Sequence, residues 1–306
     1  MTSSTSSRLT TGKSAFRRSD TRPMASSRDL IQKAIQQLPD ADAPDLDARW
    51  LLAHLLQIDH RDPQLHQDFQ VADELAQTFL EQIGRRAKGE PLAHILGEWE
   101  FYGHTFEVTP AVLMPRPETE LLVEWGLQIL ADRKQPHIAE IGVGSLAVIA
   151  TFALERPDLT GVGVEICPEA LAVAGRNCRR HSLESRIRLC QGSHYEPLED
   201  TFDLIIANPP YIVPGDPQLQ TSVSTFEPEI ALLDHIDGDG LGHYRALIAG
   251  LAGRVHPHGG LLLECGHDQA QEIAEQGRKS GWAVEIRHDL ASIPRALFLH
   301  SGSTPS

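Results

Sequence analysis

An Asn-Pro-Pro-Tyr segment at residues 208–211 is the part of this sequence best suited to chemistry. It follows the apolar run 203–207, which we interpret as a buried strand. Pro209 and Pro210 stop a strand or helix and remove two backbone donors, so carbonyl acceptors remain beside the Asn208 amide. The side-chain oxygen of Asn208 and the carbonyl of Pro209 could accept both N–H bonds of an amide or amino group and direct its nitrogen at an electrophile. Tyr211 could pack on that planar group; alternatively, the two prolines only end the strand.

A turn with two glycines follows the apolar run 137–141 and opens a helical pattern. Its sequence is Gly142-Val143-Gly144-Ser145-Leu146. Such a turn lets the backbone approach a ligand closely at the sheet edge where doubly wound folds bind nucleotides. The alternative is that the glycines serve only a tight turn. Because Leu146 replaces the third glycine of a dinucleotide fingerprint, we do not expect an NAD site.

Glu165 ends the next predicted strand. A carboxylate at this position can accept both hydroxyls of a ribose, which is how this fold class holds an adenosine. We favour ribose binding because both the position and the spacing fit, although a solvated glutamate at a strand end is the alternative.

These residues need a scaffold, and the pattern after Pro117 supplies one, because short apolar runs alternate with helical segments. The predicted strands are 137–141, 160–165, 186–190, 203–207 and 260–264, followed by 282–287 and 295–300. The first five favour a mostly parallel, doubly wound α/β sheet with helices on both faces. The last two are joined directly, which favours an antiparallel pair at one edge.

The residues before this sheet divide into three parts. We predict a disordered tail at 1–26, a helical domain at 27–96 from three amphipathic stripes, and a β-hairpin linker at 97–116. The α/β domain then extends over 117–301. The first 23 residues are rich in Ser, Thr and Arg, which is also typical of an organellar transit peptide. The alternative is that the start codon was assigned too early and that Met24 is the true start.

Composition narrows the functional classes. The chain has 306 residues with 27 Lys+Arg against 42 Asp+Glu, a formal charge of −15, so we expect no direct binding to nucleic acid. Apolar runs are too short for a membrane span, which predicts a soluble protein without membrane partners. The four cysteines lack C-x-x-C spacing, so we expect no metal site, no disulfide framework and a reducing, cytoplasmic location.

Several motifs together resemble one family. They are Gly89-Glu-Pro-Leu-Ala-His-Ile-Leu-Gly97 with Phe101, Pro115-Arg-Pro-Glu-Thr-Glu120, the segment at 208–211, Phe226-Glu-Pro-Glu-Ile-Ala231 and Asp239-Gly-Leu241. The sequence resembles the class I S-adenosylmethionine-dependent methyltransferases, and more narrowly the protein-(glutamine-N5) methyltransferases of the HemK/PrmC family, which modify peptide chain release factors. The resemblance covers roughly residues 27–300 and implies a seven-stranded methyltransferase sheet with an N-terminal helical domain.

The resemblance also implies roles for particular residues. Residues 142–146 would face S-adenosylmethionine, Glu165 its ribose, and Asn208 both the methionine end and the substrate glutamine. Residues 208–211 would form the catalytic turn. Two positions depart from the family pattern: Leu146 replaces a preferred glycine, and Ser193-His194 replace an acidic and an aromatic residue near the adenine. His194 could still stack on the adenine or hydrogen-bond to it.

The implied reaction is methyl transfer to the side-chain amide of the glutamine in the Gly-Gly-Gln loop of a release factor, with the helical domain as docking platform. The alternatives are a methyltransferase for a ribosomal-protein glutamine and a degenerate cofactor-binding module that only mediates interactions. A nucleic-acid adenine methyltransferase shares the Asn-Pro-Pro-Tyr turn but fits the negative charge poorly.

Overall fold

A computed structural model describes residues 25–217, 219 and 221–302 of the chain. It contains two compact units, one ending at Ala87 and the other beginning at Lys88. The predicted tail lies outside the described residues as far as residue 24. Its last two residues form a short strand, β1 (Ala25–Ser26), which pairs antiparallel with β2 (Gln70–Val71). Within the described part of the chain, no helix is long and apolar enough to cross a bilayer.

The first unit contains the helices that the amphipathic stripes predict. They are α1 (Ser27–Gln37), α2 (Pro44–Leu56) and α3 (Asp73–Arg86), with a 3-10 turn at Pro63–His66. Their apolar faces form a core in which Leu30, Leu51 and Phe79 are fully buried. Arg86 donates to Asp47 at 2.7 Å and ties α3 to α2. The helical interpretation of this region is confirmed.

The next helix, α4 (Leu92–Leu96), ends where the predicted helical domain ends, and it packs within the unit that begins at Lys88. Ala93 is buried in one cluster with Val108, and the Val108 amide donates to the Gly97 carbonyl at 3.0 Å. These contacts fasten α4 to the hairpin β3 (Glu98–Phe101) and β4 (His104–Glu107), which is antiparallel as predicted.

Seven strands in the described residues form the main sheet. They are β5 (His137–Ile141), β6 (Thr160–Glu165), β7 (Ile187–Gln191), β8 (Phe202–Ala207), β9 (Val255–Glu264), β10 (Ala283–His288) and β11 (Pro294–His300). Their order is β10-β11-β9-β8-β5-β6-β7, with β5 to β9 parallel and β11 antiparallel to both neighbours. This is the predicted doubly wound, mostly parallel fold. From β5 the chain adds β6 and β7 on one side of this strand and then β8 and β9 on the other. The crevice at such a switch point is where this fold class binds ligands.

Helices cover both faces of the sheet. They are α5 (Glu120–Ile129), α6 (Ala147–Glu155), α7 (Pro168–Arg180), α10 (Gly242–Gly250) and α11 (Ala270–Lys279), while the short helices α8 (Thr221–Phe226) and α9 (Glu229–Leu232) lie in the segment between β8 and α10. Along β8, Leu204 and Ile206 join the core shared with α5 to α7, whereas Ile205 and Ala207 join the core shared with α10 and α11. This two-residue alternation buries both faces and leaves the strand ends to form a site.

Candidate active site

A cavity of about 380 Å³ opens at the carboxyl ends of β5, β6 and β8. Its volume lies in the range of about 300–1,000 Å³ that is usual for small-molecule sites. Its walls bring together most of the residues that the sequence predicts: Gly142, Val143, Gly144, Ser145, Glu165, His194, Asn208, Pro209 and Pro210. The sheet therefore gathers two motifs that lie far apart in the sequence.

The glycine turn presents bare backbone to this cavity. Gly142 and Gly144 have φ angles of +77° and +50°, and a Cβ atom on either would meet no heavy atom within 4 Å. The amides of Gly142 and Val143 donate to the Val164 carbonyl at 2.8 and 3.1 Å, which fixes the turn on β6. A ligand can therefore approach the backbone closely here.

Leu146 differs from its predicted place, because its side chain does not line the cavity. It is fully buried in the core beneath the turn, where its Cδ1 faces Gly163 of β6. Leu146 is the residue before α6 and has a φ of +72°, a left-handed conformation that suits glycine better. The backbone of this position thus accounts for a glycine preference without any contact to a ligand.

Two buried glutamates lie next to the turn. Glu165 is 7% exposed, and its Oε2 and Oε1 accept the amides of Gly144 and Cys167, each at 3.0 Å. Each oxygen keeps a further lone pair, so the carboxylate is oriented but can still accept hydroxyl groups. Glu140 accepts the Ile149 amide at 2.8 Å, and burial raises the pKa of its carboxyl to about 8.

His194 lines the cavity together with His243, which the sequence did not single out. The His194 Nε2 lies 3.1 Å from the His243 Nδ1, and the Ser193 Oγ lies 2.9 Å from the His194 Nδ1. Burial lowers the pKa of both imidazoles, so this pair is neutral at physiological pH. Ser193 and His194 stand where the family pattern has an acidic and an aromatic residue.

Asn208 is held from its nitrogen side. Its Nδ2 donates to the Thr119 Oγ1 at 3.4 Å, and that hydroxyl donates to the Glu264 Oε2 at 2.6 Å. Burial raises the pKa of the Glu264 carboxyl to about 7, against the lowering effect of its hydrogen bond from Thr119. Since the nitrogen is engaged inward, the Oδ1 is left to accept a donor from a ligand.

A second cavity, of about 520 Å³, lies on the other side of the turn. Tyr211 and Glu264 line it, and Asn208 and Arg116 line both cavities. Pro209 is buried and faces the first cavity, so successive residues of the turn face different cavities. Asn208 therefore stands where the two cavities adjoin.

The wall shared by the cavities is fixed by an ion pair. Arg116 donates to Glu227 at 2.5 Å, and the other oxygen of this buried glutamate accepts the Met114 amide at 3.1 Å. This pair joins two motifs, 115–120 and 226–231, that are more than a hundred residues apart. Arg116 thereby forms part of the lining of both cavities.

Sequence reasoning missed three partners of the site. Glu264 ends a strand at the same sheet edge as Glu165, so the signal that pointed to Glu165 would also have found it. Thr119 lies within a motif that the sequence analysis quoted, but nothing local marks its hydroxyl. His243 at the start of α10 carries no signal in the sequence.

Comparison with known proteins agrees with this architecture. Residues 29–97 match the family description "PrmC N-terminal domain" and residues 118–228 match "Methyltransferase small domain". The release factor glutamine methyltransferase of Nitratidesulfovibrio vulgaris is 39% identical over 284 residues, covering 90% of this chain and 95% of that protein. The protein of the same name from Burkholderia pseudomallei is 40% identical over 258 residues, covering 82% and 90%.

A solved structure shows the same fold at lower identity. The hMettl16 catalytic domain, determined with an RNA hairpin, has a TM-score of 0.56 and 14% identity, and the alignment covers 85% of this chain and 94% of that one. The two release factor glutamine methyltransferases are far more similar in sequence, at 39% and 40% identity over 95% and 90% of their own length. The chain belongs to the release factor glutamine methyltransferase family.

Proposed function

We propose that this chain transfers a methyl group from S-adenosylmethionine to the side-chain amide nitrogen of the glutamine in the Gly-Gly-Gln loop of a peptide chain release factor. One observation carries the proposal: Asn208 stands between two cavities with its nitrogen held inward and its oxygen available. Membership of the release factor glutamine methyltransferase family supports the choice of substrate.

The residues of the first cavity fit S-adenosylmethionine. Open space before Gly142 and Gly144 admits a ligand against the backbone, and the lone pairs left on Glu165 suit the two hydroxyls of a ribose. His194 and His243 offer neutral ring faces and nitrogens to a base. When bound, the cofactor supplies an electrophilic methyl group on a sulfonium, which becomes a neutral thioether as the N–C bond forms and the S–C bond breaks.

The chain's own contribution is positioning. A glutamine amide is a weak nucleophile because its lone pair is delocalised into the carbonyl. The Asn208 Oδ1 and the Pro209 carbonyl would accept its two N–H bonds and turn the nitrogen toward the methyl group. Such alignment can lower a barrier by up to about 7–11 kcal/mol. The surplus proton then leaves the nitrogen for solvent, so no residue of the turn must act as a strong base.

The second cavity would receive the glutamine from the side of Tyr211, whose ring can pack on the planar amide. The helical unit up to Ala87 would serve as the docking platform for the release factor. The net charge of −15 favours a protein over a nucleic acid as the partner. A cytoplasmic location follows from this choice of substrate and stays a prediction.

The test is methyl transfer by the full chain with radiolabelled S-adenosylmethionine. We expect label on a bacterial release factor and none on its Gln-to-Ala loop variant. Equal labelling of both would refute the proposal. Purified ribosomal proteins form a second arm, and faster labelling there would favour the ribosomal alternative. Calorimetry with S-adenosylmethionine addresses the degenerate alternative, since a lack of binding would contradict an enzymatic role.

A further inference from the structure

A buried hydrogen-bond chain supports the Asn-Pro-Pro-Tyr turn from behind. It leads from Asn208 to the hydroxyl of Thr119 and on to the carboxylate of Glu264. Thr119 and Glu264 are 5% and 4% exposed, and the Tyr244 hydroxyl donates to the Glu264 carbonyl at 3.0 Å, which fixes the end of β9. Three elements distant in sequence thus converge behind one side chain.

The hydrogen-bond chain determines whether the oxygen or the nitrogen of the Asn208 carboxamide points outward. The oxygen and nitrogen of an Asn side chain have almost the same shape, so rotation by half a turn exchanges an acceptor for a donor. With the nitrogen outward, Asn208 would present N–H bonds to a substrate that also offers N–H bonds. An acceptor behind the amide removes this orientation, and the Thr119 Oγ1 is such an acceptor because its own proton is donated to ionised Glu264.

The burial of the Glu264 carboxylate also points to a role in orienting Asn208. Placing a carboxylate out of water is costly unless it is paired or fully hydrogen-bonded. In the described part of the chain no cation forms an ion pair with Glu264, and the nearby Arg295 is paired with Asp289 at 3.2 Å. A purely structural position would tolerate a neutral side chain better.

We propose that Thr119 and Glu264 are positioning residues, which hold the Asn208 carboxamide with its oxygen toward the substrate amide. This inference rests on the proposed function for its effect on turnover, and on the geometry alone for the orientation of Asn208.

The charge state of Glu264 should therefore matter. Burial raises the pKa of its carboxyl to about 7, Glu118 raises it further and Arg295 lowers it. The other titratable groups around it are Tyr211, Tyr244 and Cys265, whose pKa values are all raised, so they stay neutral. When Glu264 is protonated it can donate to the Thr119 Oγ1, and the hydroxyl proton of Thr119 is then free to turn to Asn208 and favour the carboxamide with its oxygen inward. Turnover at saturating cofactor should rise with pH through about 7.

The first measurement is release factor methylation with matched variants of the full chain. Thr119→Val should lower kcat by about ten- to a hundredfold, as expected for a lost hydrogen bond to a charged group, with the Kd for S-adenosylmethionine unchanged within about twofold. Thr119→Ser keeps the hydroxyl and should retain kcat within about threefold. Glu264→Gln should lower kcat and remove the rise between pH 6 and 8.

The inference is wrong if Thr119→Val and Thr119→Ser behave alike, if the variants weaken cofactor binding as much as turnover, or if Glu264→Gln keeps the pH dependence. A second measurement does not depend on the substrate. With ¹⁵N-labelled asparagine, the Asn208 side-chain NH₂ resonance, assigned by its loss in Asn208→Ala, should shift with pH near 7. It should not shift in Glu264→Gln, and a shift in both or in neither would overturn the inference even if no release factor is methylated.

Discussion

Gly240 lies against the back of the Asn-Pro-Pro-Tyr turn, and an added methyl group there tests how that turn is held. Its φ is +81°, and a Cβ would lie 2.6 Å from the Gln269 Nε2 and 2.7 Å from the Tyr211 carbonyl oxygen. Gln269 donates from this nitrogen to the carbonyls of both Tyr211 and Gly240, each at 3.1 Å. Gly240→Ala must therefore displace Gln269, Tyr211 or both.

The cost can be worked out from these contacts. An alanine at a left-handed φ costs about 1–2 kcal/mol, and losing the two Gln269 hydrogen bonds costs about 0.5–1.5 kcal/mol each. Gly240→Ala should thus lower the free energy of unfolding by about 2–5 kcal/mol. Turnover should fall as well, because movement of Tyr211 shifts the adjoining Asn208, and misplacement by about 1 Å can cost about a hundredfold.

Gly238→Ala is the matched control. Gly238 lies in the same segment with a φ of +72°, but a Cβ there meets no heavy atom within 4 Å. The Gly238→Ala variant should therefore lose only about 1–2 kcal/mol of stability, from backbone strain, and should keep its turnover. Urea denaturation and methylation of a release factor, measured on both variants, separate strain from collision. Equal losses of stability and turnover in the two variants would refute the reasoning.

Two further predictions concern the glycine turn. Leu146→Ala should lower the free energy of unfolding by about 2–5 kcal/mol, measured by urea denaturation, because a fully buried leucine leaves a cavity; a loss of less than about 1 kcal/mol would contradict its place in the core. Glu140 has a folded-state pKa raised to about 8, so its neutral form is favoured in the folded chain and its contribution to stability falls as pH rises from about 4.5 toward 8. The stability of the wild type relative to Glu140→Gln should decline over this range, and parallel pH profiles would count against the buried, protonated carboxyl.

Local patterns in the sequence were enough to predict the strands of the sheet and two turns of the site. Continuous apolar runs located the strands, and the paired prolines marked the turn that follows β8. Both signals lie within a few neighbouring residues, which is the range over which backbone preferences act. The glycine turn after β5 was found for the same reason.

The supports of the site depend on contacts that no local pattern reveals. Thr119 and Glu264 meet across 145 residues because β9 pairs in register with β8, which puts its end beside Asn208. The pairing of Arg116 with Glu227 spans 111 residues. Leu146 was expected to face the ligand with the rest of its turn, whereas its side chain is buried in the core and its φ is positive. Register and backbone angle, rather than residue type, decided these cases.

In the proposed function, Asn208 positions the substrate amide and does not merely hold the cofactor. The most direct test is Asn208→Ala in the full chain, with kcat for release factor methylation and the Kd for S-adenosylmethionine measured on the same preparation. We predict a fall in kcat of about a hundredfold or more and a Kd within about threefold of the wild type. Retained turnover, or losses of similar size in both quantities, would contradict the account.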